Sequence, residues 1–212
     1  HGVHAFAGCA SGGNRQQRHN RVADIIAETA RQSGKSVTRE SNISGRGTKR
    51  EADVFVLHGA DQGRRHLCID VAVTCSEATN SKSSIKVGPE LNPMAHVDWY
   101  AKEKKDKLNK KVVEVNGRTV YCPMVFNHYG GMNTEGFVVL RAMGARAGRL
   151  HNSGPMAHSV GLNSLFTRIS ACIMRCQEEA VHRRRHPATL EEEMRMAELV
   201  ARAGEGRGGG GG

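Results

Sequence analysis

Two aspartates and a later run of lysines are the residues of this chain whose types and order could do chemistry. Asp53 opens the apolar run Ala52-Asp53-Val54-Phe55-Val56-Leu57, and Asp70 interrupts the next run, Leu67 to Thr74. Lys102, Lys104, Lys105 and Lys107 follow on a segment of helical character. Carboxylates held side by side on neighbouring strands suit a hard divalent cation such as Mg²⁺. Such an ion polarises a phosphate, lowers the pKa of an attacking water and stabilises the leaving oxygen. A lysine beside it would neutralise charge developing on the phosphoryl group. Glu40, ending an earlier short strand, could complete the set. Plainer readings exist for the parts: an aspartate at a strand start is commonly a turn residue, and a lysine run is commonly a solvated helix face. Asp70 is harder to explain away, because an ionised carboxylate within Cys68-Ile69-Asp70-Val71-Ala72-Val73 is costly unless paired or metal-bound. The joint order of these residues favours phosphodiester chemistry over the plain readings.

The elements that must position them follow from periodicity. Val22, Ile25, Ile26 and Ala30 fall at helical spacing, and Gly34 is a plausible stop. Residues 36–40 predict a short strand, 52–57 a second and 67–74 a third. In the third, Leu67, Ile69, Val71 and Val73 face one way while Cys68, Asp70, Ala72 and Thr74 face the other. A loop rich in serine and glycine leads to a helix over about 94–110. The last strand, 119–126, carries Pro123, which predicts an edge position or a bulge. Residues 129–158 are rich in glycine and predict a linker around one short helix. Beyond them, 159–203 are helical: Leu162, Leu165, Phe166, Ile169, Cys172, Ile173 and Cys176 form an apolar stripe. Thr189 and Glu192 then read as a capping box. The expected class is mixed α/β.

The succession Arg18-His19-Asn20-Arg21-Val22, Arg39-Glu40, Arg50-Glu51-Ala52-Asp53, Ile69-Asp70-Val71-Ala72-Val73 and Lys104-Lys105-Asp106-Lys107-Leu108 resembles one known domain. That domain is the restriction-enzyme-like endonuclease at the C-terminus of site-specific non-LTR retrotransposon polyproteins, a branch of the PD-(D/E)xK nucleases. The resemblance covers about residues 1–140 and extends to Arg118–Phe126 and Gly130-Gly131. It implies a PD-(D/E)xK restriction-endonuclease-like core (helix, three strands, helix, strand), here followed by a C-terminal helical extension. By the same resemblance Asp53 and Asp70 are the metal-binding acids, Glu40 the acid of the first strand, and Lys104 and Lys107 the helix lysines. The cofactor it implies is Mg²⁺ or Mn²⁺. Its partners would be DNA, with Arg15, Arg18, His19 and Arg21 on the backbone, and element RNA through the rest of a polyprotein. The reaction would be a nick that primes reverse transcription, in the nucleus. Ala52 stands where the family has proline, and Leu108 where it has tyrosine. His4 and Cys9 match half of the zinc knuckle that precedes the family's nuclease; two of four ligands are too few for a closed zinc site. Four regions are therefore expected: a basic arm with the half-knuckle (1–18), the endonuclease-like domain (19–140), a linker and helical extension (141–203) and a glycine-rich tail (204–212).

Composition sets the outer bounds. The 212 residues carry 31 Lys and Arg against 21 Asp and Glu, a formal charge of +10, which suits a polyanionic partner. Hydrophobic residues make up 38%, enough for a core, and aromatics only 4%. Nucleic acid would therefore be held through phosphates rather than by stacking. No stretch approaches the roughly 20 apolar residues of a membrane span, so no membrane partner is expected. Six cysteines without a signal segment read as thiols. A chain that starts at His1 is expected to be a fragment of a longer reading frame. A second constellation, Cys172-x3-Cys176 with His182-x3-His186, has zinc-ligand types, but its pairs are too close for a finger to fold back. Both cysteines also lie on the apolar stripe. The basic patch His182 to His186 could touch phosphate or be a solvated helix end. A non-catalytic, basic nucleic-acid-binding remnant is the alternative function.

Overall fold

A computed structural model of the chain describes residues 13–41, 52–60, 65–74, 94–115, 117–152, 154–185 and Arg195. The chain divides into two compact units, His1–Cys176 and Gln177–Gly212. The described elements run α1 (Gly13–Gln32), β1 (Val37–Ser41), β2 (Ala52–Ala60), β3 (Arg65–Thr74), α2 (Ala95–Val115), β4 (Thr119–Asn127), α3 (Thr134–His151) and α4 (Ala157–Arg185). The class is mixed α/β.

The strands form one sheet in the order β1-β2-β3-β4. The first three pair antiparallel, and β4 joins β3 in parallel. Parallel neighbours need a long crossover, and here α2 lies within it. Pro123 sits on β4, which is an edge, as its missing N–H requires. The alternation read in β3 separates two cores. Leu67, Ile69 and Val71 join Val54 and Val56 of β2, Cys122, Met124 and Phe126 of β4 and the stripe Val22, Ile26, Ala30 of α1. Leu140 and Met143 of α3 and Leu165, Ile169 and Ile173 of α4 complete that core. On the opposite face, Ala72 and Val125 meet Val97, Tyr100 and Ala101 of α2.

The expected linker over 129–158 is instead largely helix. Residues 134–151 form α3 without a break. Glycine weakens a helix, so Gly136, Gly144 and Gly148 read as linker; in the fold all three are buried, Gly144 and Gly148 where α3 meets α4. A Cβ on Gly161 would stand 2.6 Å from the Gly148 Cα. The glycines allow a close helix–helix approach that the linear pattern does not reveal. The expected boundaries after 18 and 140 accordingly fall inside α1 and α3. Asn133 is fully buried and fixes where α3 starts: its Oδ1 accepts the Val125 N–H at 2.8 Å and its own N–H donates to the Val125 carbonyl. Asp98 of α2 caps the same end by accepting the Thr134 N–H at 2.7 Å. His4, Cys9, Cys75, Thr189, Glu192 and the tail 204–212 lie outside the described residues. No helix among the described residues is long and apolar enough to cross a membrane.

Candidate active site at the facing aspartates

Register brings the two aspartates together. Val54 pairs with Ile69 across β2 and β3, and the next antiparallel step sets Asp53 against Asp70. Asp70 stands on the face opposite the Ile69 core, with Ala72 toward α2, because successive strand residues alternate; Asp53, one residue beyond the Val54–Ile69 pair, turns its carboxylate toward the Val71 N–H and α1. Each is half-buried, and each is met by a basic side chain from a different helix.

Asp53 is reached from α1. His19 lies three residues before Val22, so it continues the helix face that buries Val22 and Ile26. Its Nε2 stands 2.9 Å from Asp53 Oδ2, and the Val71 N–H donates to the same oxygen at 2.6 Å. Arg39 of β1 donates through Nη1 to the Asp53 main-chain carbonyl and through Nε to Asp24 at 3.0 Å. Burial alone would push the Asp53 carboxyl up. The His19 hydrogen bond and charge, the Val71 amide and the Lys104 charge together outweigh it and hold the group below its ordinary 3.8. His19 moves the other way: the Asp53 hydrogen bond, opposed by burial, raises it above 6.5.

Asp70 is reached from α2 and β4. Lys104 follows Ala101 by three residues on the helix face that packs on the sheet. Its Nζ bonds both Asp70 oxygens at 2.8 Å. Tyr121, fully buried on β4, donates its hydroxyl to Asp70 Oδ2 at 2.5 Å. Burial, then the Asp70 charge and hydrogen bond, drive the Tyr121 phenol well above its ordinary range, so it stays a donor. A carboxylate in an apolar run thus receives three bonds from two side chains, which repays its desolvation.

Two lysines of α2 turn away from this pair. Lys107 turns to Glu103 at 2.7 Å and is largely exposed. Lys105 pairs with Glu135 of α3 at 2.7 Å. Glu40, exposed and with φ +50, stands on β1 at the register position opposite Asp53, between the pairs Arg39–Val54 and Ser41–Ala52. Of the expected arm, Arg18 is buried, Arg21 donates through Nη1 to Cys176 Sγ at 3.4 Å, and Arg15 is exposed. Tyr121 and Arg39 escape sequence reasoning. Tyr121 has one available signal, its parallel register one strand from Cys68.

A hard divalent ion takes carboxylate, carbonyl and water oxygens, and Mg²⁺ is commonly held by only one or two carboxylates plus substrate phosphate. Asp53 and Asp70 fit that donor chemistry. Among the described residues no group of three or more His, Cys, Asp or Glu side chains converges on one position. The other ligands would therefore be water, main chain or phosphate, and the ion would compete with His19 and Lys104 for its two acids. Cys172 and Cys176 behave as core residues: the hydrogen bond between them, then burial, raises the Cys172 thiol far above its ordinary value. The chain matches no model of a known protein family and no curated protein sequence.

Proposed function

We propose that this chain carries a metal-dependent DNA endonuclease domain of the retrotransposon-polyprotein kind, cutting one strand by phosphodiester hydrolysis. The observation that carries the reading is the facing pair Asp53 and Asp70 with the Lys104 ammonium on Asp70. Support comes also from the element order, since helix, three strands, helix and strand is the order implied by the PD-(D/E)xK resemblance. In this reading Asp53 and Asp70 hold Mg²⁺ or Mn²⁺, which supplies Lewis acidity at the scissile phosphate and an acidified water. Lys104 places positive charge where the phosphate gains negative charge. Tyr121 and the Val71 amide hold the two carboxylates in fixed orientations, so little rearrangement is needed during reaction. Glu40, across from Asp53 on β1, would assist the pair, whereas Lys107 stands outside this machinery. The nick would prime reverse transcription by a polymerase elsewhere in a polyprotein, with element RNA as a second partner, in the nucleus.

One observation favours the alternative of a binding-only remnant: both acids already have cationic partners, so the pairs could be purely structural. A supercoiled-plasmid nicking assay with Mg²⁺ or Mn²⁺, against an EDTA control, separates them. The enzyme reading expects metal-dependent nicking that Asp70→Ala abolishes while duplex affinity stays equal or rises slightly. Removing one negative charge near phosphates does not weaken a contact made by lysine and arginine. The structural reading expects Asp70→Ala to lower the melting temperature, with any nicking falling only as far as folding does. Parental nicking by Asp70→Ala overturns the metal-site assignment.

A further inference from the structure

Between Gly136 and Cys176 the sequence has five arginines and no aspartate or glutamate. Three of the five are on α3, and they divide sharply by what they touch. Arg146 donates through Nε to the Ser33 carbonyl at 2.6 Å, beside His151 on the Gln32 carbonyl at 3.0 Å. These contacts cap the carbonyl end of α1, where positive charge is favoured. Arg141 and Arg149 are exposed and make no hydrogen bond or ion pair with another described residue.

Helix geometry puts both on one side. The buried positions Leu140, Met143, Gly144 and Ala147 mark the inner face of α3; at 100° per residue Arg149 sits near the middle of the outer face and Arg141 about 80° round from it. They stand about 12 Å apart along the axis, at 1.5 Å per residue. The one acid of the helix, Glu135, is taken up by Lys105, so nothing on α3 offsets the two arginines. The same Lys105–Glu135 pair, with the Asp98 cap on Thr134, ties the start of α3 to α2, the helix that brings Lys104 to Asp70.

We infer that the outer face of α3 is a docking surface for the phosphate backbone of duplex DNA, with Arg141 and Arg149 each contacting a phosphate. This rests on the proposed nuclease reading for the choice of polyanion, and it adds a surface that the motif residues do not include. Two guanidiniums without acidic partners cost nothing to redirect, and each phosphate neutralised releases counterions. Phosphate contacts position a duplex without reading its sequence.

The test uses the full chain and the double variant Arg141→Gln/Arg149→Gln. Affinity for a fluorescent duplex of fixed length is measured against salt concentration, and nicking is measured at saturating DNA. The inference expects roughly tenfold or greater loss of affinity near 0.1 M salt and a log–log slope shallower by about 2. It also expects an unchanged melting temperature and an unchanged nicking rate at saturation. Parental affinity and slope in the double variant overturn the docking surface while leaving the nuclease reading intact. Weakened binding with a shallower slope, in a parental protein that never nicks, sustains the surface and removes the nuclease. A parental chain that does not bind the duplex overturns the inference outright.

Discussion

At the residue scale, the position of one turn on α2 separates two lysines that look equivalent on paper. Lys104 continues the Val97–Ala101 face toward the sheet and bonds Asp70, whereas Lys107 pairs with Glu103 in solvent. Lys104→Ala should therefore cost at least 100-fold in nicking rate, the scale of losing one positioned electrostatic group. Lys107→Ala should stay within about twofold, since an exposed i,i+4 pair contributes only about 0.3–0.5 kcal/mol. Equal losses in the two variants would mean that Lys104 has no special role. The His19–Asp53 pair carries its own signature in pH. A histidine raised above 6.5 stabilises the fold fully below that value, and the contribution is lost as pH rises through the raised pKa. An aspartate lowered below 3.8 stabilises above that value, and its share is lost as pH falls through the lowered pKa. Both shares are present together between 3.8 and 6.5. The melting-temperature gap between the parent and His19→Gln should peak in that window and shrink toward alkaline pH. A gap independent of pH would show that His19 acts by packing alone.

At the element scale, the strands were legible and the third helix was not. Period-two alternation in 67–74 reports burial on one sheet face directly, so Leu67, Ile69 and Val71 appear in the core as read. Asp70 stood out because it broke that run. Tyr121 did not, since it lies among apolar residues of β4 and only the parallel register shows what its hydroxyl meets. Helix α3 was hidden by its glycines, whose cost in propensity is local while their benefit is a contact made by another element. That contact can be tested. Gly161→Ala would push a methyl against the Gly148 Cα and the Gly144 carbonyl, and overpacking of this kind costs about 1–3 kcal/mol. Gly117→Ala, with open space around it, is the control and should leave the melting temperature within error or slightly raised. If both variants melt alike, the α3–α4 contact is looser than described. Ile169, fully buried in the core shared with α1 and the sheet, should lose about 2–5 kcal/mol of stability on change to alanine.

At the scale of the whole molecule, positive charge is distributed unevenly around a sheet whose two faces do different work. One face, under α1, α3 and α4, holds the large apolar core. The other meets α2 and carries Asp70. A net charge of +10 keeps copies of the chain apart, but charge alone does not stop strands from joining. Half of the outer rim of β4 opposes it. Val125 turns both its N–H and its carbonyl outward to Asn133, and the Asn127 N–H goes to the Gly131 carbonyl. Pro123, two residues before Val125, takes the same outward side and has no N–H to offer. A foreign strand arriving over residues 123–127 would find the donors there already used or missing, which opposes pairing along that half of the rim. Pro123→Thr restores one donor without disturbing the ladder to β3, and the variant should aggregate faster on gentle heating, measured by light scattering at equal melting temperature. On this account the proline that looked like a flaw in a strand helps to shield the open edge of β4 from a foreign strand.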